Sequence, residues 1–107
     1  KKEVIELEDE FKFASFTFFH KQNLLIAGTT KINLTTKENE LLKLFCINLN
    51  EKVDRNHALI KIWGDDSYYN ARSMDVYIAK LRKYLSHNEK VQIKTIHGHG
   101  FKLMVLD

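Results

Sequence analysis

The sequence predicts an α+β fold in which a small N-terminal antiparallel sheet precedes three helices and a C-terminal β-hairpin. Three observations support this prediction. Short β-prone runs fill residues 11–33, the period of the apolar pattern changes from two to 3.6 near Thr35, and two alternating strands flank a glycine-containing turn in residues 91–105. The pattern therefore places strands at both ends of the chain and helices between them.

The length and composition indicate one globular domain of 107 residues, because two domains would not fit. Hydrophobic residues make up 44% and charged residues 29%, and no apolar run approaches the roughly 18 residues that span a bilayer. The single cysteine cannot form an internal disulfide, which fits a reducing compartment. Because the sequence begins with Lys1 and continues into an acidic run, we expect residues 1–10 to be a linker remnant from a preceding domain and residues 11–107 to be the folded domain.

The N-terminal sheet is predicted from four short strands, residues 11–13, 16–19, 23–26 and 31–33, with turns at residues 21–23 and 27–29. Five of the seven phenylalanines of the chain lie in this region. We interpret them as packing residues, because a platform for stacking bases would normally mix aromatic residues with basic neighbours. They predict an aromatic inner face.

Two helices are predicted to follow the sheet. The first begins after Thr35, which forms a capping box with Glu38, and it runs to about Asn48. Apolar residues surround it nearly completely, as in a central core helix: Leu41, Leu42, Leu44, Phe45, Cys46, Ile47 and Leu49. The second helix, residues 55–63, is capped by Asp54 and ends at Gly64. Cys46 has no histidine within helical reach, so we interpret it as an inert buried thiol.

The third helix, residues 70–85, combines an apolar stripe with a cationic face, and Asn70 is its expected N-cap. The stripe has helical spacing and is predicted to face the core: Met74, Ile78, Leu81 and Leu85. The opposite face contains Arg72, Val76, Lys80 and Lys83, flanked by Ser73 and Tyr77. Such a face suits a DNA major groove, where cations meet phosphates and guanine acceptors and a small apolar group meets a thymine methyl. The alternative is a solvated face of a surface helix.

The charge of the chain is polarised, although the net charge is only +3. Residues 1–50 contain seven Lys or Arg and seven Asp or Glu, whereas residues 72–102 contain seven Lys or Arg and two Asp or Glu. A domain with one basic end is expected to bind an acidic partner, and nucleic acid is the commonest such partner.

The connection between the second and third helices is predicted to be a loop with two acids and two tyrosines: Asp65, Asp66, Tyr68 and Tyr69. Its composition is consistent either with solvation or with a contact to a protein partner. The C-terminal hairpin turns at residues 96–100, and its tip is basic and hinged by glycine. His97 and His99 alone supply too few ligands for a zinc site. No catalytic constellation, phosphate-binding loop or dinucleotide fingerprint occurs, so we expect neither an enzyme nor a cofactor.

Four separated motifs resemble the OmpR/PhoB-type effector domain of bacterial two-component response regulators. They are residues 34–42 (LTTKENELL), Arg55 with Leu59 and Trp63-Gly64, residues 72–83 (RSMDVYIAKLRK), and residues 93–101 (IKTIHGHGF). The motifs occur in the order of that family, and the resemblance extends over residues 11–103. It implies a winged helix-turn-helix with an N-terminal four-stranded sheet. The third helix would lie in the major groove and the hairpin wing in the neighbouring minor groove.

The resemblance implies sequence-specific binding of double-stranded DNA for transcription regulation in the bacterial cytoplasm. The residues expected to read bases or nearby phosphates are Arg72, Ser73, Val76, Tyr77 and Lys80. Those expected to hold the DNA backbone are Arg82, Lys83 and, on the wing, Thr95 and His97. The competing hypothesis is a winged-helix module that binds proteins and not DNA. Such a module should have an apolar patch on its third helix, whereas Val76 is alone among cations.

The resemblance also implies partners: RNA polymerase at residues 65–69, an upstream receiver domain, its cognate sensor kinase, and a second copy in a dimer on DNA. No membrane partner is expected. Three positions differ from the family pattern. Thr36 replaces a usual Pro, which affects only the start of the helix. Ala79-Lys80 keeps a single charge where an Arg is frequent, and His97 replaces an Arg at the wing tip. Because a bidentate guanidinium contact is then missing, we expect a lower DNA affinity than is common in the family.

Overall fold

The computed structural model describes residues 5–6, by their backbone, and residues 10–106. The predicted linker, residues 1–10, therefore lies largely outside the described residues. Within it, Ile5–Glu6 forms a two-residue strand, β1, which pairs with the next strand of the sheet. None of the helices in the described part of the chain is long and apolar enough to cross a membrane.

The predicted four-stranded antiparallel sheet is confirmed, and β1 extends it at one edge. Its strands are β2 (Glu10–Phe13), β3 (Phe16–Phe19), β4 (Leu24–Ala27) and β5 (Thr30–Asn33), and neighbours in sequence are neighbours in the sheet. Register places Phe11 opposite Phe18 and Phe13 opposite Phe16, with ring centroids 5.8 and 5.4 Å apart. All four rings are buried. The packing interpretation of the phenylalanines is therefore correct for the inner face of the sheet.

Helix α1 (Thr36–Ile47) begins with the predicted capping box, in which the Thr35 hydroxyl accepts from the Glu38 amide and the Glu38 carboxylate accepts from the Thr35 amide. Helix α1 was expected to be a central core helix because it is apolar nearly all round, but one of these apolar residues, Ile47, is 57% exposed. At about 100° per residue, Ile47 points away from the buried face that contains Phe45.

Helix α2 (Arg55–Trp63) has an α-helical first part, Arg55–Ala58, and a π-helical second part, Leu59–Trp63. The Asp54 carboxylate caps it by accepting from the His57 amide at 3.0 Å, as predicted. Gly64, with a φ of 94°, ends the helix as expected, because a left-handed residue there favours glycine. Helix α3 (Tyr68–Leu85) follows after a short loop.

The C-terminal hairpin belongs to a second, three-stranded antiparallel sheet. Its strands are β6 (Lys52–Asp54), β7 (Val91–Ile96) and β8 (Gly100–Val105), in the order β6-β8-β7. Strand β6 was not predicted from the sequence. The pairing of β6 with β8 explains why residue 100 is glycine, because a Cβ at this position would lie 2.1 Å from the Val53 carbonyl oxygen of the paired strand. The second sheet therefore attaches the hairpin to the start of α2.

The core is one cluster that joins the inner face of the first sheet, the three helices and the hairpin. The prediction that the stripe on α3 faces the core is confirmed, because all four of its side chains are buried in this cluster: Met74, Ile78, Leu81 and Leu85. Two polar residues, Glu38 and Asn39, are also buried. The Asn39 side chain bonds His20 and Asn23 in the 3-10 turn that joins β3 to β4, and Glu38 accepts from the Tyr84 hydroxyl at 2.9 Å. These bonds attach α1 to the sheet on one side and to α3 on the other.

Candidate nucleic-acid interface

Helix α3 begins two residues earlier than the sequence suggested, and Ser67 is its N-cap. The Ser67 hydroxyl accepts from the Asn70 amide at 3.2 Å. The prediction of Asn70 as N-cap is therefore wrong, because its side chain instead donates to the Asp65 carboxylate at 2.7 Å. Tyr68 and Tyr69 consequently lie in the first turn of α3 and not in the loop before it.

The face of α3 opposite the core is exposed, as predicted. Arg72, Val76, Lys80 and Lys83 are exposed, whereas Ser73 and Tyr77 are half-buried at its sides. Val76 is 55% exposed and lines a shallow surface groove with Tyr68, Arg72, Asp75 and Ala79. A small apolar floor between cations is thus presented to solvent, and Ala79 belongs to it although the sequence reasoning gave it no role.

Aromatic rings hold two of the cations on this face. The Arg72 guanidinium donates to the Tyr68 hydroxyl at 3.0 Å and lies 5.8 Å from the centre of that ring. The Lys80 ammonium lies 5.4 Å from the centre of the Tyr77 ring, which in turn contacts Trp63 edge-on at 5.7 Å. These contacts restrict the two long side chains, which lowers the conformational entropy that they would lose on binding a ligand.

The carboxylate on the same side of α3 is neutralised by an arginine from α2. Arg55 forms an ion pair with Asp75 at 2.9 Å, donates to the Ala71 carbonyl at 3.3 Å, and lies 5.6 Å from the centre of the Phe101 ring. Asp75 therefore adds little repulsion toward an anionic partner. The sequence showed Arg55 as part of a motif but gave no sign of its role, because its partners are 16 to 46 residues away in the chain.

The wing lies beside α3 and is connected to it by Arg82. The Arg82 guanidinium donates to the Ile93 carbonyl from Nε at 3.0 Å and from Nη2 at 2.9 Å, and to the Thr95 hydroxyl at 2.8 Å. The hairpin was predicted to turn at residues 96–100, and the structure has the turn within this range, at residues 97–99, where Gly98 adopts a φ of 76°. His97 and His99 are exposed at this tip. Arg82 and Thr95, which were both expected to hold the DNA backbone, are therefore bonded to each other.

The loop before α3 is short and internally bonded. The Asp65 carboxylate accepts from the Ser67 amide at 3.0 Å and from the Asn70 side chain, and these hydrogen bonds lower the pKa of Asp65. Asp66 is exposed, and Tyr69 is 83% exposed. Asp66 and Tyr69 thus remain available to a protein partner, whereas Asp65 stabilises the loop and Tyr68 contacts Arg72.

The remaining reactive side chains do not form a site in the part of the chain that the structure describes. Burial raises the pKa of the Cys46 thiol, which disfavours the thiolate that a nucleophile or a metal ligand requires. No group of three or more His, Cys, Asp or Glu side chains within residues 10–106 is arranged to hold a metal ion.

Comparison with known proteins identifies the family of this fold and surface. Residues 29–103 match the family described as "transcriptional regulatory protein, C terminal". The chain belongs to this family. The resemblance to OmpR/PhoB-type effector domains that the motifs indicated is thereby confirmed, and so is the winged-helix fold.

The relatives of this transcriptional regulatory domain are regulators from several bacteria. The transcriptional regulatory protein RprY of Bacteroides fragilis is 50% identical over 94 residues, which are 88% of this chain and 40% of RprY. The chain thus spans less than half the length of this relative. Among solved structures, the DNA-binding domain of Klebsiella pneumoniae RstA in complex with the RstA box has a TM-score of 0.76 and 25% identity, over 91% of this chain and 98% of that one. The DNA-binding domain of Bacillus subtilis CssR has a TM-score of 0.70 and 28% identity, over 84% of this chain and 100% of that one.

Proposed function

We propose that this domain binds double-stranded DNA in a sequence-specific manner to regulate transcription, as the effector domain of a two-component response regulator. The observation that carries the proposal is the exposed face of α3, where cations surround a small apolar floor beside a basic wing. An α-helix of this kind fits a major groove about 12 Å wide. The similar DNA-binding domain of RstA was solved in complex with the RstA box, which supports the proposal. In the docking geometry of winged helices, α3 would lie in the major groove and the wing in the adjacent minor groove.

Each residue that was predicted to contact DNA has a role in this proposal. Arg72, Ser73, Val76, Tyr77 and Lys80 lie along the outer face and sides of α3, where they meet base edges or nearby phosphates. Lys83 follows on the same helix and meets the phosphate backbone, and His97 extends from the wing tip toward the minor groove. Thr95 faces the same side through its bond with Arg82.

The alternative of a protein-interaction winged helix is not favoured. Such a module would need a contiguous apolar patch on α3 to bind another protein strongly. Val76 is the exposed large hydrophobic residue in the central part of α3, and Arg72, Lys80 and Lys83 surround it. Burying these cations against a neutral protein surface would cost their hydration, whereas DNA phosphates replace it with ionic contacts.

The partners of the whole protein follow from its relatives. Because the chain spans 40% of RprY, we propose that a receiver domain precedes this effector domain in the complete protein and answers a cognate sensor kinase in the cytoplasm. Two copies bind one DNA site as a dimer. RNA polymerase contacts the surface formed by Asp65, Asp66, Tyr68 and Tyr69, all of which are exposed. Asp65 and Tyr68 already form hydrogen bonds within the domain, so Asp66 and Tyr69 are the main contacts in this proposal.

Selection of bound sequences from a pool of random duplexes tests the function directly. We expect enrichment of a short sequence present as a repeat, whose spacing gives the separation of the two half-sites. Lys80→Ala and Lys83→Gln form a matched pair in the same experiment. The first should relax the preference at one or two base pairs, and the second should weaken all sequences alike. A pool that remains random after selection with the wild-type domain would contradict the proposal.

A further inference from the structure

Arg82 is an exposed cation on α3, and three of its five N–H donors already form hydrogen bonds within the domain. Its guanidinium makes three hydrogen bonds to β7, two to the Ile93 carbonyl and one to the Thr95 hydroxyl, all between 2.8 and 3.0 Å. Guanidinium has five N–H donors in a planar fork, and these bonds engage the Nε and Nη2 side of that fork. An exposed residue that existed only to meet phosphate would not need this intramolecular arrangement.

The neighbouring cation behaves differently. The Lys83 ammonium has no hydrogen bond or ion pair with other described residues, so its three donors are available to an anion. The two residues are adjacent on the same helix and carry the same charge. They therefore allow the effect of charge on DNA binding to be separated from the effect of the Arg82 fork.

The bonded atoms of β7 lie close to the wing tip. Thr95 precedes His97 by two residues, and Ile93 precedes it by four. The other strand of the wing, β8, is held from α2, because the Arg55 guanidinium lies over the Phe101 ring and pairs with Asp75 of α3. Both strands of the wing are thus fixed relative to α3 by an arginine.

We propose that Arg82 is a positioning residue, which fixes the angle between the wing and α3 so that both reach their grooves of one duplex at the same time. This inference rests on the proposed DNA-binding function and specifies a device of the same interface. A guanidinium that donates to two acceptors at once, the Ile93 carbonyl and the Thr95 hydroxyl, has a defined geometry that a lysine ammonium cannot reproduce. In this proposal, the planar shape of the Arg82 guanidinium contributes more to DNA affinity than its charge does.

Salt titration separates positioning from a phosphate contact. DNA affinity is measured as a function of salt concentration for wild type, Arg82→Lys, Arg82→Gln, Thr95→Val and Lys83→Gln, after thermal unfolding has shown that each variant is folded. A lost phosphate contact makes the slope of log K against log salt shallower by about 0.9. We expect this change in Lys83→Gln and less than half of it in Arg82→Gln. Arg82→Lys should lose about tenfold in affinity despite its retained charge, since it lacks the fork.

A double-mutant cycle with the wing tip shows whether Arg82 acts through the wing. His97→Ala is combined with each Arg82 variant and with Thr95→Val, which removes one acceptor and keeps the charge of Arg82. If Arg82 positions the wing, His97→Ala should weaken DNA binding in wild type and have much less effect when Arg82 is Lys or Gln. In the Thr95→Val background, the effect of His97→Ala on DNA binding should lie between its effect in wild type and its effect in the Arg82 variants. Lys83→Gln is the control, and its effect should add to that of His97→Ala.

The outcomes are distinct. Additive effects of Arg82 and His97, together with a slope in Arg82→Gln that changes as much as in Lys83→Gln, would overturn the inference and assign Arg82 to a phosphate. An Arg82→Lys variant equal to wild type in affinity would also overturn it. DNA binding by wild type that does not depend on salt would overturn the proposed function itself, and the inference with it.

Discussion

The Glu38 carboxylate shows how single residues connect the elements of this domain. It is 1% exposed, yet one oxygen accepts from the Thr35 amide and the other accepts from the Tyr84 hydroxyl, each at 2.9 Å. A buried carboxylate without such partners would be strongly destabilising. Glu38 therefore completes the start of α1 and at the same time attaches α1 to α3.

Tyr84→Phe should lower the free energy of unfolding by about 1–2 kcal/mol at pH 7, because the Glu38 oxygen loses its donor. Burial and the Glu38 carboxylate raise the pKa of Tyr84. A raised folded-state pKa adds stability that is fully present below the unfolded pKa of about 10 and is lost as pH rises through the folded value. The difference between wild type and the variant should therefore shrink above about pH 10. Urea unfolding from pH 7 to 11 measures it.

Tyr77→Phe is the matched control for that experiment, because the Tyr77 hydroxyl has no hydrogen bond to other described residues. Other effects of alkaline pH on the fold act on both variants alike. Equal unfolding free energies for the two variants at every pH would show that the bond between Tyr84 and Glu38 does not stabilise the fold.

The two faces of α3 should separate stability from binding. Ile78→Ala is expected to cost about 2–5 kcal/mol of unfolding free energy, because Ile78 is buried in the core cluster. Lys80→Ala should leave the unfolding free energy nearly unchanged and weaken binding to the preferred DNA by about 1–3 kcal/mol. Chemical denaturation and DNA titration of both variants check which face of α3 packs in the core and which binds DNA. If Lys80→Ala unfolded the domain and Ile78→Ala left its stability unchanged, the two faces would have to be exchanged.

At the scale of whole elements, the start of α3 provides a direct test of helix capping. Ser67→Ala should lower the free energy of unfolding by about 0.5–2 kcal/mol, because the Asn70 amide loses its acceptor. Ser73→Ala, on the same helix but after its first turn, is the control and should cost less. If Ser67→Ala had the same free energy of unfolding as wild type, the hydrogen bond from the Asn70 amide to Ser67 would not stabilise the fold.

Neighbouring residues at the first turn of α3 are expected to serve different partners, DNA and RNA polymerase. Tyr68→Phe removes the hydroxyl that accepts from Arg72 and should weaken DNA binding by about 1 kcal/mol. Asp66→Ala with Tyr69→Ala should reduce transcription and leave DNA affinity unchanged, because these side chains are exposed and have no described contact with the cations of α3. DNA titration and a transcription assay are carried out on Tyr68→Phe and on the Asp66→Ala, Tyr69→Ala double variant. If both proteins lost DNA affinity equally, Asp66 and Tyr69 could not be assigned to a polymerase contact separate from DNA binding.

The elements that could be predicted are those whose signals are local. The capping box at Thr35 and Glu38, the stop at Gly64 and the apolar stripe of α3 depend on residues within one or two helical turns, and the structure agrees with each. The N-cap of α3 was predicted to be Asn70, and this prediction was wrong, because the N-cap is Ser67. Serine and asparagine are comparably good N-cap residues, so residue preference alone does not distinguish them. The bond from Asn70 to Asp65 decides in favour of Ser67.

Long-range contacts could not be predicted from the sequence. Strand β6 has only three residues and exists because β8 pairs with it. The binding surface was predicted as a set of exposed residues, and most of them are exposed. Arg82 and Arg55, however, looked like surface cations until their partners, 11 to 46 residues distant, were seen. The periodicity of the sequence indicates which side chains point away from the core, but it does not indicate which residues those side chains contact.

At the scale of the whole molecule, the charge distribution agrees with the architecture. The balanced N-terminal half forms the first sheet and α1, whereas the basic residues 72–102 form α3 and most of the wing. The single core cluster joins both halves, so the basic surface is carried on a rigid base. Such a surface attracts DNA at long range and then holds it through a few oriented contacts.

The salt dependence of DNA binding by the wild-type domain tests this account most directly. Four or five cations of α3 and the wing are expected to meet phosphates, and each contact releases about 0.9 counterions from B-DNA. Affinity for a duplex chosen by selection should therefore fall with a slope of log K against log salt of about −4. A slope near zero, or equal affinity for a neutral polymer, would contradict the conclusion that this surface binds nucleic acid.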